Sequence, residues 1–476
     1  MSRVAEALLT KYGRSGPRYT SYPPAPLWHE QVGADDLEQA LTAIGARESP
    51  RESVRDSAPE PGEPGLDAEL YVHVPFCEQL CTFCGCHTFI TRKSEPVVEF
   101  LAAIEREADA VARAAGRKLS IGGLHLGGGT PTHLTVEQLV RLLDVLESRF
   151  DFSRCRERSL EVHPHVTTLD QIDLLARRGF TRLSMGVQDL TPEVQAAIHR
   201  FQTHDETARL ASRARARGFT SLNVDLIYGL PEQTVEGFAR TVEQVIAMGV
   251  DRLAVYGYAH VPWLKRQQRA LEKASLPSPA LRRDLYELAL AMLAAAGFES
   301  VGFDHFALPT DELFTARRNG TLTRTFMGFT VRHARNLIGL GPSAIGELGR
   351  LYAQNESELR PWLSAVGERG LATRRGFLLA AEDELRRDVI RALLCHLRVD
   401  GAAIGRAHGV DFADHFHDEL EQLAPMVADG LVEIRGGSEL VLTESGRYLA
   451  RNVAMLFDQH QGSSVVAGAP RYSQTV

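Results

Sequence analysis

The feature that most constrains this chain is an alternation that begins at residue 69. Short runs rich in β-branched and aromatic residues are each followed by a longer run of helical periodicity. Runs at residues 69–74, 123–126, 159–162, 182–187, 222–227 and 252–258 read as strands, with 300–303 as a further candidate. Between the first two, Ser94 can cap a helix with Pro96 in its first turn, and Val97, Leu101, Ile104, Ala108 and Val111 then share one face. Amphipathic helices also fit residues 136–147, 205–217 and 233–248. Parallel strands need a crossover, and a helix supplies it, so six strand–helix repeats predict an α/β fold with a parallel sheet, open or curved into a partial barrel. On such a sheet the chemistry sits at the C-terminal ends of the strands.

Polar features collect on that rim. After the first strand, Tyr71 to Cys86 reads Y-V-H-V-P-F-C-E-Q-L-C-T-F-C-G-C, so Cys77, Cys81 and Cys84 form a C-x3-C-x2-C run with Cys86 after one glycine. Soft thiolates this close suit an iron–sulfur cluster or zinc. Structural zinc usually takes four protein ligands in two separated knuckles, and no second knuckle exists here. Three ligands with an open fourth position make a catalytic layout. Gly127-Gly128-Gly129-Thr130-Pro131 follows the second strand, where backbone groups can approach a ligand or simply turn; it is neither a G-x-G-x-x-G nor a P-loop. Glu161 and Asp225 lie in apolar runs and need a partner there, either a core salt bridge or a ligand. Gln188 follows the fourth strand, and Arg200 by itself reads as a solvated residue. His73, His125, His260 and His305 read as hydrogen-bonded core or rim residues. His163 and His165 have a spacing that could hold a metal, with nothing nearby to complete the site.

The 476 residues, 44% hydrophobic and 24% charged, allow one large domain and at least one smaller one. The N-terminus lacks a signal-peptide apolar core, and no stretch reaches the ~18 apolar residues that span a bilayer. Six cysteines, four of them between residues 77 and 86, fit no secreted disulfide framework. The expected address is the reducing cytoplasm. A net charge of −8 argues against nucleic acid, and an anionic substrate would need a local basic pocket. Residues 1–46 form an N-terminal arm in which S-G-P-R-Y-T-S-Y-P-P places Arg18 beside two tyrosines; it is either packed over another surface or an irregular lead-in. Residues 47–66, rich in Pro, Glu, Ser, Arg and Gly, are expected to be a disordered insertion. Residues 67–349 then form the catalytic domain. Residues 350–460 read as a mainly helical unit: helices at 386–397, 414–429 and 446–457, with a hairpin at 431–434 and 440–442, resemble a winged helix. From residue 376 onward nine basic residues face fifteen acidic ones, so a lid or packing role fits better than a DNA-binding wing. Residues 461–476 are expected to be a flexible tail.

In their order, these motifs resemble the oxygen-independent coproporphyrinogen III oxidases of the radical S-adenosylmethionine (SAM) superfamily. The resemblance rests on C-G-C at 84–86, G-G-G-T-P-T at 127–132, R-L-S-M-G-V-Q-D at 182–189, D-L-I-Y-G-L-P at 225–231, Y-A-H at 258–260, D-H-F-A at 304–307 and Y-A-Q-N at 352–355. It implies a (β/α)6 partial TIM barrel with an N-terminal arm and a C-terminal, mainly helical, winged-helix-like domain. It implies that Cys77, Cys81 and Cys84 ligate a [4Fe–4S] cluster whose fourth iron takes SAM. Tyr71, Gly128, Glu161 and Ile345 fall where the family holds that SAM. Phe83, Gly129, Thr130, Gln188, Arg200, Asp225 and Ala259 fall where it places a second one. Cys86 matches a cysteine the family needs without counting it as a ligand, and Arg18 is a candidate partner for a substrate carboxylate. The implied reaction turns two propionates of coproporphyrinogen III into vinyl groups by hydrogen abstraction and loss of carbon dioxide, giving protoporphyrinogen IX. A low-potential electron donor such as flavodoxin or ferredoxin and a monomeric state are expected with it. The chain departs from the family pattern at His163-Pro164-His165, where D-P-R is commoner, and at Met327 and Phe329, where Gln and Tyr are usual. Two other classes share the core: a haem-binding chaperone, which usually has C-D-F in place of C-G-C, and a radical SAM enzyme that modifies another tetrapyrrole. A zinc-bound structural protein is the remote third.

Overall fold

Six strands carry the expected alternation, most of them a residue or two longer than their apolar runs: β1 Ala68–Val74, β2 Ile121–Gly128, β3 Glu157–Val162, β4 Arg182–Gln188, β5 Ser221–Tyr228 and β6 Arg252–Gly257. They pair in that order, all parallel. The computed structural model describes residues 6–46, 65–273, 275–331, 334–461, 465–466, 469–470 and 472–473. The expected insertion lies outside the described residues but for its last two. Buried and half-buried positions alternate through β4 and through β5 up to Ile227, as a sheet with one helix-covered face requires. The covering helices include Glu95–Ala115, Val136–Arg149, Leu169–Arg177, His204–Ala216 and Val235–Ala247. Thr135, Thr168 and Thr203 each start one with a capping box closed by Gln138, Gln171 or Glu206. The sheet curls on itself, because one cavity of about 120 Å³ is lined both by Glu69 of β1 and by Tyr256 of β6. The expected partial barrel is therefore present. Buried Arg252 pairs with Asp311 at 2.6 Å below the cavity.

The sheet continues at both ends. β7 Glu299–Val301 and β8 His305–Ala307 add antiparallel strands beyond β6. On the other side β9 Asn336–Leu340 pairs parallel with β1, followed by antiparallel β10 Ile345–Leu348, β11 Leu351–Asn355 and β12 Thr373–Leu378. This corrects the boundary expected after residue 349, which falls in the tight turn between two hydrogen-bonded strands. Residues 336–355 are broken by Gly339, Gly341, Gly346 and Gly349, which hides strands this short from a periodicity count. Glu107, buried on the helix Glu95–Ala115, ties the region down: it accepts from Gly341 N at 2.7 Å, Asn355 Nδ2 at 2.7 Å and Trp362 Nε1 at 3.3 Å.

A second core is built from Leu385, Val389, Leu393, Phe416, Leu440 and Phe457 and also takes in Tyr19 and Tyr22. The arm therefore packs over a surface. Tyr19 Oη donates to Asp458 at 2.9 Å, Gln459 N donates to Tyr22 Oη at 3.1 Å, and Trp28 stacks on Tyr352 with centroids 5.2 Å apart. The arm's helix Ala34–Gly45, which the sequence reading did not include, buries Leu37, Leu41 and Ile44. The winged-helix-like unit has the helices Ala381–His396, Gly401–His408 and His417–Ala428 beside a sheet of three strands, not two: β13 Arg398–Asp400 and β14 Val432–Arg435 flank β15 Glu439–Leu442. The helix expected over 414–429 is broken at Phe416, which leaves helical geometry as its ring packs on Phe412 and Phe457. The last expected helix is α-helical only over Ala450–Ala454. The tail expected to be flexible meets the arm where it is described: Gly16 N donates to Ser473 O at 3.1 Å. Among the described residues no helix is long and apolar enough to cross a membrane.

Candidate active site

The cysteine loop leaves β1 through Pro75. Phe76, fully buried against Phe100, Phe89 and His133, roots it in the core. Phe76–Cys77 pairs with Phe89–Ile90, which closes the base of the loop. Its far side is clamped by the loops after β4 and β6. Thr82 N donates to Ile198 O at 3.1 Å, Gln267 Nε2 to Cys84 O at 2.6 Å, and buried Gln268 donates through one amide to Phe83 O at 2.9 Å and Ala259 O at 3.2 Å. Cys77, Cys81 and Cys84 are half-buried in this frame. Thr130 Oγ1 lies 3.5 Å from Cys77 Sγ, and Arg200 Nη1 donates to Cys81 Sγ at 3.8 Å. Burial pushes the Cys77 thiol up to about 11, and the neighbouring sulfurs Cys84 and Cys81 add to the rise. Hydrogen bonding from Cys86, by its thiol and by its N–H at 3.4 Å, pulls Cys84 down to about 6. Among the described residues no three His, Cys, Asp or Glu side chains gather tightly enough for a single metal ion. Three soft sulfurs within electrostatic reach of one another on one loop fit a larger inorganic centre.

The glycine turn packs against this loop. Gly127 and Gly128 belong to the last turn of pairing in β2, so the strand runs further than the sequence reading placed it. Gly128 has φ +118°, and a Cβ there would sit 2.7 Å from Val74 O; one on Gly129 would sit 2.6 Å from Pro75 O. At Gly127 a Cβ would meet the Tyr71 ring at 3.0 Å and the Glu161 carboxylate at 3.1 Å. The bare backbone therefore lets the strand end pack directly against β1, the cysteine loop and that carboxylate. Glu161, on β3, accepts Gly128 N–H at 3.2 Å, and its other oxygen faces His125 Nε2 at 3.5 Å. Burial alone would raise its pKa, but the His125 contact and the Gly128 N–H outweigh it and hold the group below the usual carboxylate value. His125 also bonds Ser159 Oγ at 2.8 Å and stacks on Tyr71, whose hydroxyl meets His73 Nδ1 at 2.9 Å. His125 thus belongs to the site although its sequence context marked it only as a core or rim histidine.

The other candidates divide. Gln188 ends β4 at φ +68°, beside the Arg200 guanidinium that donates to Gly186 O. Of these, Arg200 and Thr130 reach the sulfurs of Cys81 and Cys77, and Gly129 packs on the start of the loop that carries Phe83. Asp225 sits mid-strand on β5, deeper than a strand-end position; burial pushes it up to about 6, against the Asn223 Nδ2 donor at 2.8 Å. It lines the barrel cavity with Glu161, His305, Met327 and Phe329, so two of the departures from the family pattern face this space. Ile345 is not gathered in by its side chain, which packs with Trp28, Tyr352 and Leu379. Cys86 lies at the exposed end of the loop with its thiol turned to Cys84. Arg18 lies past the end of β6, donating to Gly257 O at 3.1 Å. His163 and His165 do not act as a pair: burial pushes His163 down to about 2, while His165 bonds Glu206 at 3.1 Å. What the sequence reading missed is Gln268, which clamps the loop, and a second, larger cavity beyond Arg18 rimmed by Arg282, Arg447 and Arg451.

Residues 71–245 match the model of the radical SAM superfamily. The chain is 43% identical over 457 residues to the oxygen-independent coproporphyrinogen III oxidase of Escherichia coli K12, covering 95% of each chain. It is 40% identical over 455 residues to the like-named protein of Pseudomonas aeruginosa, again covering 95% of each. Its structure is similar to that of the Escherichia coli coproporphyrinogen III oxidase HemN, a radical SAM enzyme, with a TM-score of 0.86 over 96% of this chain and 100% of that one.

Proposed function

Because the chain belongs to the oxygen-independent coproporphyrinogen III oxidases of the radical SAM superfamily, we propose that it converts two propionates of coproporphyrinogen III to vinyl groups, yielding protoporphyrinogen IX for haem synthesis. The single observation that supports this best is the meeting of the three-cysteine loop with the glycine end of β2 and with Glu161 on one rim. In this reading Cys77, Cys81 and Cys84 hold a [4Fe–4S] cluster. Tyr71, Gly128, Glu161 and the main chain near Ile345 flank one SAM, and Phe83, Gly129, Thr130, Gln188, Arg200, Asp225 and Ala259 flank a second. Bound there, the cluster and SAM supply one-electron reductive cleavage, the source of hydrogen-abstracting power.

The chain's own residues then orient and insulate. Glu161, kept ionised by His125 and the Gly128 N–H, offers a fixed acceptor to a ligand ammonium or hydroxyl group. Gly127 to Gly129 allow main-chain approach, and the Gln267 and Gln268 amides hold the loop against the barrel. Cys86, outside the ligand set, tunes Cys84 through its N–H. The electron comes from a low-potential carrier of the flavodoxin or ferredoxin class. Lys265, which donates to Cys86 O at 3.4 Å, sets a cation beside the loop for it. A monomer in the cytoplasm completes the reading.

The test is anaerobic incubation of reconstituted protein with SAM, a reductant and coproporphyrinogen III. Methionine and 5′-deoxyadenosine should appear while the tetrapyrrole loses two carbon dioxide molecules and four hydrogens. SAM cleavage with an unchanged or methylated tetrapyrrole would overturn the substrate while sparing the core reading. Haem binding without SAM cleavage would point to a chaperone.

A further inference from the structure

Between β6, the helix Pro279–Ala295, the arm and residues 447–451 lies a cavity of about 490 Å³, within the range of small-molecule sites. Arg18, Arg282, Arg447 and Arg451 all face it. Among the described residues Arg18, Arg282 and Arg447 make no ion pair: each donates only to a main-chain oxygen, Gly257 O, Tyr258 O and Gly302 O respectively, all at 3.1 Å. Arg447 also keeps its buried Nε without a hydrogen-bond partner. Burial, together with the charge of Arg18, pushes Arg451 down to about 10. The only carboxylate on the described walls, Asp304, is turned to His305 Nδ1 at 2.7 Å. Three guanidinium groups without an ion pair among the described residues, on the walls of one cavity, make a site for a carboxylate-rich ligand in a chain whose net charge is −8. One wall is aromatic: Tyr286 packs against Tyr228 at 5.1 Å and edge-on to Tyr448 at 5.6 Å.

The cavity also reaches the reactive rim. Ala259 lines it, and the Gln268 amide that binds Ala259 O binds Phe83 O of the cysteine loop as well. Through Gln268, the cavity edge at Ala259 is one side chain away from the cysteine loop. A substrate with four propionates, of which one reacts at a time, leaves the others to be neutralised away from the reacting carbon. We propose that this cavity holds the non-reacting propionates of the tetrapyrrole, with Arg18, Arg282, Arg447 and Arg451 as carboxylate partners and the tyrosines as the wall for the pyrrole rings. The assignment rests on the substrate reading above. Arginine suits the task because its planar fork can pair both carboxylate oxygens at once.

The test titrates reconstituted full-length protein anaerobically with coproporphyrin III, the unreactive aromatic form carrying the same four propionates, followed by its absorbance. Arg282→Gln and Arg447→Gln should each weaken binding by about tenfold, and Arg282→Lys by less, with iron content and SAM binding unchanged. Wild-type affinity should fall as salt rises, and an alkyl porphyrin without carboxylates should bind far more weakly. If a glutamine variant loses iron, Arg18→Gln and Arg282→Lys decide in its place. Variant affinities within twofold of wild type, with wild type binding, overturn the cavity while leaving the substrate standing. Equal affinity for the alkyl porphyrin overturns the cavity as well. Absence of any coproporphyrin III binding to wild type overturns both readings.

Discussion

Glu161 accepts the main-chain N–H of Gly128 at 3.2 Å, joining the carboxylate of one strand to the glycine end of its neighbour. The contact turns two weak sequence signals into one continuous surface on the rim. Glu161→Gln keeps an acceptor for that N–H but removes the charge, whereas Glu161→Ala removes both. SAM affinity is expected to fall on the order of tenfold in the first and further in the second, with iron content unchanged. Calorimetry on the reconstituted variants checks this, and wild-type affinity in Glu161→Ala would sink the assignment.

Gln268 is buried and serves Phe83 O, Ala259 O and Val261 N from one side chain. Gln268→Leu leaves two carbonyls and an N–H without their side-chain partner, a loss of about 1–3 kcal/mol for each buried group. The cysteine loop should loosen, with faster loss of iron to a chelator under anaerobic conditions. Chelation at the wild-type rate would show that the clamp is dispensable.

Glu107 has its pKa pushed up to about 7 by burial, partly offset by its three donors. A carboxyl with a raised folded-state pKa binds more protons folded than unfolded, so its contribution to stability falls as pH rises from its usual value, 4.5, to about 7. That dependence amounts to ~3 kcal/mol at most. Glu107→Gln should flatten the pH dependence of the urea midpoint across this window. The same slope in the variant refutes the assignment.

Trp28 is buried and stacks on Tyr352, holding the arm to β11. Trp28→Ala is expected to cost about 3 kcal/mol and to make the arm cleavable by protease near Arg18. Unchanged proteolysis would mean that the second-core contacts of Tyr19 and Tyr22 hold the arm without it.

The periodic alternation, the cysteine spacing and the glycine run are properties of neighbouring residues, so parallel sheet, loop and turn were legible before the fold was known. The capping threonines are equally local, yet the sequence reading named only Ser94, which takes the N-cap position without a side-chain cap bond. Elements that depend on distant partners were not legible. Strands β9 to β12 are short and interrupted by glycine, and they become strands because β1 offers an edge to pair with. The arm's tyrosines had two open readings until a hydrophobic core formed from the other end of the chain.

The arginine cavity makes the division plainest. Arg282, Arg447 and Arg451 each look like an ordinary solvated cation in their own stretch of sequence, and Arg18 stood out only through the resemblance. Sequence by itself determined a parallel sheet with a three-thiol loop at its rim, because backbone periodicity and ligand spacing are local, while the curl of that sheet was left open. Only the tertiary structure decided where opposite ends of the chain place their charges together, since Coulomb interaction depends on separation in space and not along the chain.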